Sequence, residues 1–211
     1  MALTKIVKFN DKLSWALWKI DASWQVLLSQ ARLSATEEVV LSSISHAQKK
    51  AEFLASRLAL DALLKANNTP EYEIYKDLHG KPFIREASLH ISLANSFPYA
   101  VAALHQDKPV GIDIEPPSEK LIRIQHKFLH QHEYAFFADQ PERLCLAWCA
   151  KESLYKLYGR RNLSFKQDII INKILYPDQP LLFANILLDS SPFAYQLHIE
   201  RIENYFILFS V

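Results

Sequence analysis

Asp113 and Glu115 stand at alternate positions in Val110-Gly111-Ile112-Asp113-Ile114-Glu115-Pro116-Pro117, a short apolar run interrupted by acids. As a strand, its period of two puts both carboxylates on one face and Ile112 and Ile114 on the other. Two carboxylates roughly 7 Å apart at their Cα atoms can share one hard cation, and the two prolines end the strand just beyond them. An isolated Asp-x-Glu describes two solvated acids at a strand end equally well. The meaning of the pair depends on what answers it elsewhere in the chain.

The stretch from Glu142 to Tyr158 answers it. On a wheel of about 100° per residue, Cys145, Trp148, Cys149, Glu152, Lys156 and Gly159 fall within about a third of a turn. Leu146, Ala150, Leu154 and Leu157 occupy the opposite side, and Leu144, Ala147, Tyr155 and Tyr158 lie between. A helix apolar nearly all round is buried. Lys151, Glu152 and Lys156 are then charges in apolar surroundings, where an unpaired ion costs several kcal/mol. Glu152 and Lys156 could pair locally at i, i+4, and Lys151 could snorkel past its neighbours. Taken with the strand, however, Asp113, Glu115 and Glu152 offer three oxygen ligands, while Lys81, Lys151 and Lys156 offer cations to phosphate oxygens. Acids for a divalent metal and lysines for a polyphosphate are what phosphoryl-group transfer requires.

The elements that must position these residues are those of a globular protein. The chain has 211 residues and is 50% apolar, enough for one large domain or two compact halves. Its formal charge of +1 gives no net field for nucleic acid or an anionic membrane. Cys145 and Cys149 are its two cysteines, which suits free thiols in a reducing compartment rather than a disulfide framework. The N-terminus lacks a signal peptide's apolar core, and no run reaches the roughly 18 apolar residues of a membrane span. A cytoplasmic protein is the expectation.

In chain order, the aromatic-rich first thirty residues predict one or two short strands, Ser14 to Ile20 the clearest. Ser34 with Glu37 forms a capping-box pattern that opens a helix to about Ile44. A longer helix runs from Ala47 to Lys65 and stops at Asn67-Asn68-Thr69-Pro70. Strands follow at Tyr72–Lys76, Ser88–Leu93 and Tyr99–His105, with an Asp77-Leu78-His79-Gly80-Lys81-Pro82 turn after the first of them. Beyond the acidic strand, Ser118–Phe128 and Gln131–Ala138 are helical in pattern, then Glu142–Tyr158. Strands at Gln167–Ile174, Leu181–Leu188, Tyr195–Ile199 and Tyr205–Val211 complete the chain. Each half thus reads as long helix, strand, turn and final strand, a faint repeat that chance similarity among β-rich segments would also give.

At this point the residues resemble a known family. Gly111-Ile112-Asp113-Ile114-Glu115 followed by Trp148-Cys149-Ala150-Lys151-Glu152-Ser153-Leu154-Tyr155-Lys156 is similar to the paired signature of 4′-phosphopantetheinyl transferases of the larger single-chain class. Gly80-Lys81-Pro82 looks like that family's Gly-Lys-Pro, and Ser164-Phe165-Lys166 sits where the family has a similar block. The resemblance implies an α+β fold of two pseudo-symmetric α/β halves, here 1–107 and 108–211, with the active site at their junction. It implies transfer of phosphopantetheine from coenzyme A to a serine of an apo-carrier protein, in a chain that can work as a monomer. Asp113, Glu115 and Glu152 would bind Mg²⁺, Glu152 would also be the base, and Lys156 would assist the leaving 3′,5′-ADP. Lys81 and Lys151 would contact phosphates, with Lys49, Lys50 and Arg57 toward the nucleotide end. The alternatives are a non-catalytic relative that binds coenzyme A or a carrier, and another Mg²⁺-dependent phosphotransferase or phosphohydrolase.

Two departures stand out. Where the family has Ser-His-Ser this chain has Ala94-Asn95-Ser96, and Asn95 can donate a hydrogen bond but carries no charge. The gap between the two motifs is also shorter than usual. Lys120, Arg123 and Lys127, at i, i+3 and i+7, form a basic stripe that is either a solvated face or a surface for an acidic carrier helix.

Overall fold

The computed structural model describes residues 3–69, 72–84, 88–160, 162–189 and 191–210. Pro70 and Val211, which the sequence places at a helix stop and in the last strand, lie outside the described residues. The chain divides into two compact units, Met1–Val110 and Gly111–Val211. Among the described residues, no helix is long and apolar enough to cross a membrane.

In the first unit, strands β1 (Leu3–Lys8) and β2 (Leu13–Lys19) form an antiparallel pair. These are the two short strands that the aromatic-rich start predicts, and a five-residue helix, α1 (Trp24–Leu28), follows them. Only Leu27 of α1 is buried, so its single apolar anchor fits a short helix as well as a strand. Helix α2 (Ala35–Ser43) opens with the expected capping box: Ser34 Oγ accepts from the Glu37 amide, and the Glu37 carboxylate accepts from the Ser34 amide. Helix α3 (Ala47–Ala66) is the buried helix of the unit. Asn67 ends it, its side chain donating back to the Leu63 carbonyl and across to Ser14 Oγ of β2.

Strands β3 (Ile74–Lys76) and β4 (Pro82–Ile84) form a small hairpin whose second strand is not evident in the sequence. Strands β5 (His90–Ser96) and β6 (Tyr99–His105) close a four-stranded sheet in the order β1-β2-β6-β5. Ala94, Asn95 and Ser96 therefore lie within β5, not in the turn after it. Leu54, Leu58, Ala59 and Leu63 of α3 share a core with Ala16, Trp18, Ala100, Ala102 and Leu104 of the sheet.

The second unit begins with β7 (Gly111–Glu115). Helix α4 (Lys120–Phe128) follows, burying Leu121 and Phe128 while Lys120, Arg123 and Lys127 face solvent. The helical pattern at 131–138 resolves into a 3₁₀ turn, Gln131–Glu133, and the four-residue α5 (Tyr134–Phe137). The cause is local: the Glu133 carboxylate accepts the His130 amide at 2.7 Å and tightens the chain before a regular helix can begin. Helix α6 (Pro141–Tyr158) starts with proline at its first turn and stops at Gly159, whose φ of 71° is the left-handed conformation glycine adopts without strain.

Strands β8 (Ile169–Ile174), β9 (Leu181–Leu188), β10 (Ser191–Ile202) and β11 (Tyr205–Ser210) complete a five-stranded sheet ordered β7-β11-β10-β9-β8. β10 begins earlier than its alternation suggests because it pairs with β9 along the whole hairpin, from Ser191 opposite Leu188. The two sheets share a local order. In each, the last strand inserts between an early strand and the penultimate one, giving β2-β6-β5 in the first unit and β7-β11-β10 in the second.

Candidate active site

Strand β7 and helix α6 build the site. Gly111 is where they touch: a Cβ there would run into the Ser153 carbonyl and the Leu157 amide, so only glycine permits this approach. Ser153 Oγ donates to the Leu208 carbonyl at 2.7 Å and ties α6 to β11 as well. The face of α6 that the wheel singles out does look onto these strands. Cys145 Sγ donates to the Glu115 carbonyl and Cys149 Sγ to that of Phe206. Burial pushes both thiols well above their ordinary range, and the nearby acids push further, so both stay protonated and inert.

Alternation aims Gly111, Asp113 and Glu115 to one face, and Asp113 is only 4% exposed, nearly as buried as the isoleucines beside it. Lys156 Nζ donates to Asp113 Oδ1 at 2.6 Å and to the Ile112 carbonyl at 3.3 Å. The other carboxylate oxygen, Asp113 Oδ2, is buried without a hydrogen-bond partner. Burial alone would lower the lysine's pKa, but the Asp113 charge and hydrogen bond outweigh it, with Glu152 adding, so Lys156 is held charged above its ordinary range. Glu152 is pushed up to about 7, first by burial and then by the charge of Asp113, with Lys156 pulling the other way. Lys156 thus reaches across to the strand for its ion pair instead of back along the helix to Glu152.

These residues fit a hard cation. An orphaned carboxylate oxygen and a second acid whose ionisation is resisted by the first are both relieved by divalent charge. Among the described residues, no three His, Cys, Asp or Glu side chains close around a single point, so the fit rests on Asp113 and Glu152. Glu115 follows at the end of the same strand face, half-buried.

Lys151 turns inward from this site. It is fully buried, and its ammonium donates to Glu133 Oε2 at 2.8 Å, the Phe165 carbonyl at 2.8 Å and the Ile169 carbonyl at 2.6 Å. All three N–H groups are spent inside the unit, leaving none for a phosphate. Burial lowers its pKa, and the Glu133 charge opposes that. The sequence gives one indication of such a partner, that a lysine on a helix apolar all round requires a buried acid, but nothing that identifies Glu133.

In the first unit, Lys81 lines a depression of about 340 Å³ with Asp77, Phe83 and His90, and burial lowers its pKa. Asn95 is exposed on β5. Lys49 pairs with the buried Glu52 at 2.5 Å, and Lys50 stands over the Trp24 ring at 4.5 Å. Arg57 is also paired within the unit. Its guanidinium is 9% exposed, donates to Glu37 at 3.0 Å and to Ser56 Oγ, and stacks on Phe53. It joins α3 to α2 within the core.

Comparison with known proteins bears on this constellation. Residues 109–208 match the model of the 4′-phosphopantetheinyl transferase superfamily. Over 105 residues the chain is 32% identical to 4′-phosphopantetheinyl transferase gsp of Aneurinibacillus migulanus, covering 46% of this chain and 44% of that protein. Over 88 residues it is 35% identical to 4′-phosphopantetheinyl transferase psf-1 of Bacillus pumilus, covering 39% and 37%. The matches span less than half the length of either relative. Residues 109–208, which hold Asp113, Glu115, Glu152 and Lys156 together, are thus similar to the 4′-phosphopantetheinyl transferase superfamily.

Proposed function

We propose that the protein transfers the 4′-phosphopantetheine group of coenzyme A to a serine hydroxyl of an apo-carrier protein, with Mg²⁺ held by Asp113 and Glu152 and supported by Glu115. The observation that carries this reading is the Asp113–Lys156 contact, with Glu152 one turn away and raised to a pKa of about 7. A serine hydroxyl is a poor nucleophile at neutral pH, and a bound divalent cation would keep Glu152 ionised as a carboxylate able to take its proton. The bound cation would neutralise charge on the pyrophosphate oxygens.

In this scheme Glu152, directly or through a water, accepts the serine proton as the serine oxygen bonds to the phosphorus of the phosphopantetheine group. The bridging P–O bond breaks and 3′,5′-ADP leaves. Lys156, fixed on Asp113, offers positive charge or a proton to the departing oxygen. Lys81 and Asn95 are the first unit's candidates for coenzyme A phosphates. The uncharged Asn95 predicts a relaxed preference for the 3′-phosphate, which a large preference for coenzyme A over its dephospho form would refute. The cytoplasm, with free coenzyme A at hand and both thiols reduced, suits this reading, and a site built within one chain permits a monomer.

The test is to incubate the protein with coenzyme A, Mg²⁺ and apo-carrier proteins and to look for the phosphopantetheine adduct by mass spectrometry. No adduct on any carrier, from folded protein that still binds coenzyme A, would favour a binding-only relative. Phosphate release without an adduct would favour a hydrolase.

A further inference from the structure

Lys151 sits at the centre of a closed ring of contacts that the reaction scheme does not use. Its ammonium holds Glu133 Oε2, which also accepts the His130 amide two residues beyond the end of α4. Glu133 Oε1 accepts the Ile171 amide of β8 at 2.7 Å. On the other side, Lys151 holds the Phe165 carbonyl, and Phe165 lies between the rings of Trp148 and Tyr155 at 5.4 and 5.5 Å. The next residue, Lys166, donates to the His126 carbonyl in the last turn of α4 at 3.1 Å. The C-terminal end of α4 is therefore gripped twice, through His130 and through His126, and both grips lead back to Lys151.

We infer that Lys151, with Glu133 and Lys166, is a positioning residue that fixes the basic helix α4 relative to Glu152 and Lys156, and so sets how a carrier protein is held while its serine reacts. The inference rests on the carrier reading above. Lys151 adjoins Glu152 in α6, so the lysine that registers α4 and the acid that faces β7 share one turn of one helix. A buried ion pair is weak evidence for stability as such, because apolar residues of similar volume often replace it at little loss. Its specific effect is on geometry, because each oxygen and each N–H fixes a different segment. A carrier seated on a displaced α4 would present its serine out of line, whereas coenzyme A would be bound as before.

Two variants separate this from a phosphate contact or a purely structural role. Lys166→Met cuts the ring at a half-buried position, where folding is least at risk. The double variant Lys151→Met with Glu133→Leu replaces the buried pair without leaving an orphaned charge. Both are expected to raise the KM for the carrier by about threefold or more with the KM for coenzyme A unchanged. Both should also speed amide hydrogen exchange over 120–130 without altering it over 47–66. A raised KM for coenzyme A with an unchanged carrier KM in the double variant would assign Lys151 to phosphate and overturn the inference. So would unchanged carrier kinetics in both variants. If the wild-type protein forms no adduct, the carrier reading itself fails; the exchange experiment still decides whether Lys151 and Lys166 hold α4, and unchanged exchange would overturn the inference.

Discussion

Lys156 Nζ lies 2.6 Å from Asp113 Oδ1, while Oδ2 of the same carboxylate is buried without a partner. One oxygen is neutralised and the other waits for charge, so in the proposed mechanism Asp113 would link the leaving-group cation to the metal. Asp113→Asn should uncouple the two. The amide keeps the shape but cannot hold Lys156 charged, and it removes the anion that raises Glu152. Adduct formation is expected to fall by at least about a hundredfold. A variant within threefold of the wild type in a steady-state adduct assay would remove Asp113 from the mechanism.

The pKa of Glu152 makes cation binding depend on pH in a definite direction. Its folded value of about 7 exceeds its ordinary value of 4.5, so folding favours the protonated acid. The stability this group contributes is full below about pH 4.5 and is lost as pH rises through about 7. A divalent cation binds the ionised form, so Mg²⁺ should raise the melting temperature more at about pH 8 than at about pH 6. In Glu152→Gln that difference should vanish. An equal Mg²⁺ effect at both pH values in the wild-type protein would mean that Glu152 is not a ligand.

The parts of the site that could be read from sequence are those fixed by local periodicity. Alternation aligned Gly111, Asp113 and Glu115, and the helical wheel put Cys145, Cys149, Glu152 and Lys156 on the face that meets them. The partner of Lys151 could not be read, because Glu133 lies 18 residues away in a 3₁₀ turn whose geometry depends on that same carboxylate. The partner of Arg57 is hidden for a related reason: Glu37, which neutralises it inside the core, lies 20 residues earlier. The helix at 24–28 could not be read either, since five residues with one buried anchor carry too little pattern to separate helix from strand.

Gly111 is the most sensitive backbone position of the site. Any side chain there meets the backbone of Ser153 and Leu157, which cannot rotate away as a flexible side chain would. Gly111→Ala should destabilise the protein by on the order of 3 kcal/mol, as overpacking of a rigid contact does. Because β7 must move off α6, Asp113 and Lys156 should separate too, so activity should fall even below the melting transition. Denaturant unfolding and the adduct assay measure the two effects, and a variant as stable as the wild type would show that the contact relaxes at no cost.

Lys120, Arg123 and Lys127 face solvent within about 60° of one another on α4, while Leu121 and Phe128 anchor the helix beneath them. Exposed charges of one sign, held on a short rigid helix, suit an acidic partner surface and contribute chiefly to encounter rate and orientation. Replacing all three with glutamate should leave folding and coenzyme A binding unchanged but raise the carrier KM by roughly tenfold or more at low salt, with the penalty shrinking as ionic strength rises. The salt dependence is the discriminating measurement. If the triple variant matches the wild type at every salt concentration, the stripe is a solvated face and the carrier is bound elsewhere.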